Sequence, residues 1–299
     1  MSRPQLLFFI GKGGVGKSTT SALSSVRLAD AGHQTLLVSM DPAHNQRDLF
    51  EQDFGEKPKK IDAHLMVKEV DSDFWIEKYL KDAQTQITKT YQYESAFNLQ
   101  NYFNVLQFSP GLEEYALLLA FEHIVHRFEN HEYIVFDMAP TALTLRFFSL
   151  PFITLIWLEE LLKLRTRIYE KKEIISKIKI GKIEIEQDKV KDKLGALIQN
   201  YNHLGQHFLS DAVQICLVMN NDTLSLSEAR RIREKLSAIG ITIKKVVVNK
   251  LCQDEETSAI DKVFGDQEIF RLPLVPGGLV GHARLKEYLD LISEDFLDL

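Results

Sequence analysis

Cysteine is scarce in this sequence, because its 299 residues include only Cys216 and Cys252. The two lie too far apart for a C-x-x-C motif, which excludes a zinc or redox site of that kind and suits a reducing compartment. We interpret both as structural thiols and expect no bound zinc. Methionine is also sparse, with five residues, so a binding surface built on that soft side chain is not favoured.

The sequence also has no excess of positive charge and no long apolar run. The formal net charge is −6 and the pI is about 5.9, which argues against broad electrostatic binding to nucleic acid or anionic lipid. The longest uncharged apolar run, residues 147–158, is too short to span a bilayer. Residues 1–4 lead straight into the first apolar segment, so we expect no signal peptide. These features predict a cytoplasmic protein that does not bind nucleic acid.

The most informative motif lies near the N-terminus and fits the phosphate-loop pattern G-x-x-x-x-G-K-[ST]. It reads Gly11, Lys12, Gly13, Gly14, Val15, Gly16, Lys17, Ser18, Thr19. An apolar run at residues 6–10 predicts a buried strand before it, and residues 18–31 predict a helix after it. Backbone N–H groups and the positive end of the helix would then stabilise an anion. Lys17 would reach the terminal phosphates, and the Ser18 hydroxyl would bind Mg²⁺.

A second interpretation of the same glycines has to be weighed. Gly11, Gly13 and Gly16 also fit G-x-G-x-x-G, and Asp41 ends the next predicted strand, where a ribose-binding acid would lie. The pair Lys17-Ser18 favours the phosphate loop, because a triphosphate with Mg²⁺ uses both groups and a dinucleotide uses neither.

The rest of the chain alternates predicted strands with helical segments. Strands are predicted at residues 35–40, 64–70, 133–136, 213–219, 243–248 and 268–272, and a helix at residues 225–239. This alternation predicts an α/β fold with a doubly wound, mostly parallel sheet, in one domain over residues 1–299. Two long segments, about residues 71–131 and 151–211, lack a convincing core strand and are expected to form one helical subdomain.

Two features of these segments leave alternatives open. The apolar residues are expected to pack on each other, with an exposed apolar groove as the alternative. They are Leu117, Leu118, Leu119, Phe121 and Ile124 in the first segment, and Ile153, Ile156, Leu161, Leu162, Leu164 and Ile168 in the second. Residues 177–186 alternate with period two around Gly181-Lys182, which predicts either a small hairpin or a mobile charged segment.

Hydrolysis of a nucleotide requires groups beyond the phosphate loop. Asp137 ends a predicted strand and is the candidate carboxylate that would hold Mg²⁺ through the waters bound to it. Asp41 and Asn45 follow another strand and would point at the γ-phosphate, which makes Asp41 a catalytic candidate and a candidate at the metal. A strand-terminal Asp often only caps the following turn. The loop that continues from Asp137 to Thr141 could respond to the same phosphate, and three such segments beside a phosphate loop favour the functional interpretation.

The motifs together resemble a known family. Lys12 resembles the signature lysine of the deviant phosphate-loop ATPases. Within that class the chain resembles the arsenical-pump and tail-anchored-protein-targeting ATPases over nearly its whole length. The resembling segments are Asp41-Pro42-Ala43-His44-Asn45, Ala139-Pro140-Thr141, Val247-Val248-Asn249-Lys250 and Pro273-Leu274-Val275-Pro276.

The resemblance implies roles for several residues. Lys12 would reach the partner's phosphates across a homodimer interface, Asp41 would activate water, and Asn249 would contact adenine. The loop from Pro273 to Pro276 would enclose the base. An ATP-driven switch between open and closed dimers follows from these roles.

The chain also departs from the family pattern. Met40 and Met138 replace threonines, and Ala142-Leu143 replaces Gly-His in the second switch loop. The C-x-x-C that joins targeting-factor dimers through zinc is missing.

The resemblance predicts a Mg²⁺-dependent ATPase that couples ATP to capture of a hydrophobic client such as a tail-anchored membrane protein. Its expected partners are ATP and ADP, a second copy of the chain, the client and a membrane receptor. The alternatives are an arsenite efflux ATPase subunit and a nucleotide-dependent regulator with little hydrolysis.

Overall fold

The computed structural model describes residues 3–43, 45–90, 109–180 and 189–292, together with Phe296. The described strands are β1 Gln5–Ile10, β2 Thr35–Ser39, β3 Lys59–Lys60, β4 Leu65–Glu69, β5 Tyr133–Asp137, β6 Val213–Asn220, β7 Ile243–Leu251 and β8 Glu268–Pro273. The described helices are α1 Lys17–Asp30, α2 Asn45–Phe50, α3 Ser72–Thr90, α4 Leu112–Arg127, α5 Thr141–Ile180, α6 Lys189–Phe208, α7 Thr223–Ala238, α8 Ser258–Phe264 and α9 His282–Leu291.

All eight described strands form one sheet, in the order β3-β4-β2-β5-β1-β6-β7-β8. Every neighbouring pair is parallel except β3 and β4, so the predicted mostly parallel sheet is confirmed. β1 lies between β5 and β6, with Phe8 opposite Phe136 and Ile215. Because parallel strands end at the same edge, the segments that follow β1, β2, β5 and β7 meet there.

The ends of the described strands were predicted to within three residues, except for β3, which was missed. β3 has two residues, Lys59 and Lys60, both exposed, so no buried apolar pattern marks it. Helix α7 begins two residues earlier than predicted, since the Asp222 carboxylate accepts a hydrogen bond from the Ser225 N–H at 2.8 Å and caps the first turn.

Both faces of the central strands are covered by apolar side chains. On one face Phe8 stacks on Phe136 with ring centroids 4.8 Å apart, and Phe121 of α4 meets Phe147 of α5 at 5.8 Å. On the other face Phe9 packs with Ala22 and other side chains of α1. Burial of each such aromatic side chain is worth about 2–3 kcal/mol, which holds β1 rigidly in place at the centre of the sheet.

The chain divides into two compact units, residues 1–147 with 211–299 and residues 148–210. The first contains the sheet, α3 and α4, where Tyr79 and Tyr115 approach to 4.9 Å. The second contains most of α5 and α6, where Phe148 and Phe208 approach to 5.1 Å. A subdomain built from both predicted inserts stays a prediction.

The predicted burial of apolar side chains is confirmed in one of the two segments and wrong for most residues of the other. The apolar residues of α4 are buried, among them Leu117, Phe121 and Ile124. In α5 the expected burial is wrong for most of the predicted face, because Ile153, Ile156, Leu161, Leu164 and Ile168 are exposed. Period-3.6 spacing identifies an apolar face but carries no information about what covers it.

Helix α5 is longer than the sequence pattern suggested. Its 40 residues include Pro151 and continue to Ile180, so the hairpin interpretation is wrong for residues 177–180, and residues 181–188 lie outside the described part. By length and composition, the part Thr141–Tyr169 could cross a membrane, with a mean hydropathy of 1.6 in its most apolar stretch. About a third of that stretch is buried in the fold, and core helices of soluble proteins satisfy the same criteria.

Candidate nucleotide-binding site

The phosphate-loop motif connects β1 to α1, as the sequence predicted. α1 begins at Lys17, and Gly16 precedes it with a φ of 94°, a left-handed conformation that favours glycine. The first turn of α1 therefore faces the carboxyl edge of the sheet with its backbone N–H groups unpaired within the helix. This end of the helix attracts an anion.

The carbonyl groups of the loop are held from behind by residues of other elements. Asn249 Nδ2 donates to the Val15 carbonyl at 2.8 Å, and Lys250 Nζ donates to the Gly14 carbonyl at 2.8 Å. Thr141 Oγ1 donates to the Gly11 carbonyl at 3.3 Å. With these carbonyls turned away, the loop presents its N–H groups to a bound phosphate.

Two glycines are needed because the loop packs closely on its neighbours. A Cβ on Gly11 would lie 2.1 Å from the Val218 carbonyl oxygen, and a Cβ on Gly16 would lie 2.2 Å from Asn249 Nδ2. No side chain fits at these distances. The backbone of β6 therefore dictates glycine at position 11, whereas at position 16 the left-handed φ and the Asn249 side chain together favour it.

A cavity of about 480 Å³ opens in front of the loop. Of the predicted residues it is lined by Gly13, Gly14, Gly16, Lys17, Ser18, Thr19, Asp41 and Asn45. Sequence reasoning missed Asp48 and Leu49, which lie one helical turn after Asn45 on the same face of α2 and could have been found from that spacing. Ala43 and Pro140 complete the lining.

The two lysines of the loop lie in different surroundings. Lys17 is buried, at 5% exposure, and its ammonium donates to the Lys12 carbonyl at 3.4 Å. No carboxylate pairs with Lys17 within the described residues. Burial raises the pKa of nearby Asp137 and the charge of Lys17 opposes that rise, but no carboxylate that the structure describes is in ion-pair contact with the buried ammonium, so this position suits an anionic ligand. Lys12 is half-buried.

Two carboxylates end strands beside the loop. Asp41 follows β2 and is buried, and its Oδ1 accepts a hydrogen bond from the Ala43 N–H at 3.0 Å. Asp137 ends β5 and is fully buried, and its Oδ2 accepts from Gln46 Nε2 at 3.0 Å. Burial raises the pKa of Asp137 to about 6, and the neighbouring side chains of Ser18 and Gln46 offset only part of that shift.

The donor atoms fit a hydrated Mg²⁺. Asp137 Oδ1 is buried and has no hydrogen-bond partner among the residues the structure describes, so it is free to accept from a metal-bound water. The Ser18 hydroxyl lies in the cavity lining, and Asn45 Nδ2 donates to it at 3.4 Å. Oxygen ligands of this kind are what Mg²⁺ prefers.

The residues predicted to contact the base lie around the ends of β7 and β8. Asn249 is largely buried, with Nδ2 bound to Val15 and Oδ1 accepting from the Lys250 N–H at 2.9 Å. Pro273 ends β8, and its carbonyl accepts from the Tyr288 hydroxyl at 2.9 Å. Pro276 follows in the next loop. None of the three lines the cavity, and their contact with adenine stays a prediction.

A parallel sheet with this loop after its central strand defines a phosphate-loop nucleoside triphosphatase. A family model described as anion-transporting ATPase matches residues 4–294, and the chain belongs to that family. It is accordingly an ATP-binding ATP hydrolase.

The chain is similar to several curated proteins of the family. It is 29% identical to putative arsenical pump-driving ATPase 2 of Aquifex aeolicus, over 95% of this chain and 97% of the relative. It is 28% identical to ATPase get3 of Schizosaccharomyces pombe, over 97% of this chain and 92% of the relative. A putative arsenical pump-driving ATPase of Prosthecochloris vibrioformis is 30% identical, over 88% of this chain and 65% of the relative.

Proposed function

We propose that this ATPase is a Mg²⁺-dependent switch in the cytoplasm that couples ATP to the capture of a hydrophobic client. The observation that carries the proposal is a row of large apolar side chains exposed along helix α5. We call this row the α5 stripe. It consists of Ile153, Ile156, Trp157, Leu161, Leu164 and Ile168, each between 45% and 67% exposed.

The spacing of the stripe places its members on one side of the helix, because they follow the pattern i, i+3, i+4, i+8, i+11, i+15 of a helical face. Single exposed apolar residues are ordinary, but a contiguous set of this size marks an interaction surface. An apolar helix of a membrane protein, such as the C-terminal anchor of a tail-anchored protein, offers matching chemistry. The family resemblance points to the same client and to a membrane receptor that would take it over.

The nucleotide site supplies the energy and timing of this cycle. Lys17 and the loop N–H groups would bind the phosphates, Ser18 and Asp137 would hold Mg²⁺ and its waters, and Asp41 would orient the attacking water. When bound, Mg²⁺ neutralises charge on the phosphates. Lys12 would act on the nucleotide of a second copy of the chain, so that hydrolysis depends on closure of a homodimer.

A peptide-capture experiment tests the client proposal. The protein is incubated with a peptide containing a tail-anchor helix, with ATP analogue or ADP, and the complex is isolated by gel filtration. We expect capture to depend on the nucleotide. The double variant Ile156→Asp, Trp157→Asp should reduce capture at least about tenfold, since two desolvated apolar contacts are worth on the order of 2 kcal/mol or more.

Leu224→Asp is the matched control, because Leu224 is 71% exposed on α7, in the other unit. It should capture peptide like the wild type. If the wild type retains no peptide in either nucleotide state, or if both sets of variants behave alike, the α5 stripe is not the client site.

A regulator with little hydrolysis is the second candidate. Met40 and Met138 are buried at 1% and 0% exposure beside the catalytic segments, where neither can offer a hydroxyl. Turnover equal to that of Asp41→Asn would support this candidate.

An arsenite efflux role is the third candidate and the weakest. Cys216 is fully buried and burial raises its pKa to about 12, which disfavours the thiolate that As(III) would need. If arsenite does not stimulate ATP turnover, the arsenite efflux role is excluded.

A further inference from the structure

Gln46 is a fully buried polar side chain beside the nucleotide site, and no motif in the chain assigns it a role. It is the second residue of α2 and is 0% exposed. Its Nε2 lies 3.0 Å from Asp137 Oδ2, 3.2 Å from the Ser18 carbonyl oxygen and 3.3 Å from Ser21 Oγ. The amide thus connects α2, the end of β5 and the first turn of α1.

The surroundings fix which way the amide points. The Asp137 carboxylate and the Ser18 carbonyl oxygen are acceptors, so the NH₂ group has to face them and the amide oxygen has to face away. With Oδ2 occupied by Gln46, Oδ1 is left as the free oxygen of the carboxylate. It is buried and unpartnered within the described part of the chain, as is Gln46 Oε1. Such atoms are costly unless a ligand satisfies them.

The position of Gln46 in the chain adds a second connection. α2 begins at Asn45, and Asp41 lies just before it, so the helix that carries Gln46 also follows the segment expected to respond to the γ-phosphate. Asn45 Nδ2 in turn donates to Ser18 Oγ at 3.4 Å. Adjacent residues of α2 therefore contact both candidate magnesium-binding groups, Ser18 and Asp137.

We propose that Gln46 is a positioning residue for the magnesium site, holding Asp137 so that Oδ1 faces the metal and its waters. The inference rests on the proposed role of Asp137 at the metal. It goes beyond that role by naming the side chain that orients the carboxylate and by linking α2 to metal occupancy. Outer partners of this kind commonly change metal affinity 10–100-fold when removed.

Gln46→Met is the test variant, because methionine has the same length and lacks the amide donor. Gln46→Asn is the second variant, since it keeps a buried amide but shortens the side chain by one methylene. Arg47→Ala is the matched control, because the next residue of the same helix pairs with Asp53 on the surface with 65% of its side chain exposed.

The experiment titrates Mg²⁺ into each full-length variant bound to a fluorescent ATP analogue, and measures nucleotide affinity separately in EDTA. We expect Gln46→Met to weaken the apparent Mg²⁺ affinity about tenfold and to leave the affinity in EDTA unchanged. Arg47→Ala should match the wild type. In an Asp137→Asn background, Gln46→Met should add no further loss, because the two residues act as one unit.

Four results would overturn the inference. Equal weakening with and without Mg²⁺, or a loss that adds to that of Asp137→Asn, would mean that Gln46 only packs the core. If Asp137→Asn loses the Mg²⁺ response and Gln46→Met keeps it, Gln46 does not position Asp137, and the role of Asp137 at the metal stands. An unchanged Mg²⁺ response in Asp137→Asn would remove the proposed role of Asp137 and this inference with it. Should Gln46→Met fail to fold, Gln46→Asn answers the same questions.

Discussion

At the residue scale, we expect the two lysines of the phosphate loop to differ in role, with Lys17 serving binding and Lys12 serving catalysis. Lys17 is buried at the start of α1 and lines the cavity, whereas Lys12 is half-buried and does not line it. We therefore expect Lys17 to act on the nucleotide of its own chain, and we expect Lys12 to act on the nucleotide of a second copy.

Substitution of each lysine tests this division. Lys17→Ala should weaken ATP binding by about 10- to 150-fold, because a charge-assisted contact is worth about 1.5–3 kcal/mol. Lys12→Ala should leave binding within about threefold and slow hydrolysis on the order of 10³-fold, as loss of a trans cation does. Nucleotide titration and phosphate release measure the two effects, and an equal loss of binding in both variants would contradict the trans role.

Asp137 provides a second residue-scale prediction, on stability and pH. Its pKa is raised in the fold to about 6 from a reference of 3.8, so the folded protein binds the proton more tightly than the unfolded chain. The contribution to the free energy of unfolding is therefore full below about pH 4 and is lost as the pH rises through about 6. Without nucleotide or Mg²⁺, Asp137→Asn should be more stable than the wild type at pH 7.5, by up to about 2–3 kcal/mol, and not at pH 4.

Chemical unfolding at both pH values measures this difference. Asp290→Asn, on an exposed position of α9, is the control and should show no such pH-dependent gain. A gain for Asp137→Asn that is the same at pH 4 and pH 7.5 would contradict the assignment of the effect to this carboxylate.

At the element scale, sequence and structure agree where a signal is local. The strand, loop and helix around Lys17 follow from residues that are neighbours in the chain, and so do Asp41 and Asp137 at strand ends. Gln46 and Lys250 escaped prediction because their partners are distant, up to 236 positions for Lys250 Nζ and the Gly14 carbonyl. No periodicity within α2 or β7 encodes such a contact.

Helices α4 and α5 also show that sequence does not reveal contacts between distant segments. The faces of α4 and α5 look alike in sequence, yet Phe121 is buried against the sheet and Trp157 is 67% exposed. In residues 177–180, alternating Lys and Ile suggested a strand, although the segment continues a helix. Over four residues, a strand period of two cannot be distinguished from a helix period of 3.6. The long helix that precedes residues 177–180 therefore decides their conformation.

At the scale of the whole molecule, the proposal requires two copies of the chain. One chain has a mass of 34.3 kDa. Light scattering after gel filtration should give twice that mass with Mg²⁺ and a non-hydrolysable ATP analogue. Lys12→Ala should shift the equilibrium towards the monomer. A single-chain mass under every nucleotide condition would contradict the dimeric switch.

The donors behind the phosphate loop have a consequence for how the site is assembled. Asn249 and Lys250 reach the loop from 234 and 236 positions away, so the anion cradle is complete only after β7 has joined the sheet. A truncated chain that stops before β7 would retain every letter of the motif and lack two of the donors that orient it. Nucleotide affinity therefore depends on the finished sheet as well as on the nine residues of the motif. The chain acquires it late in synthesis.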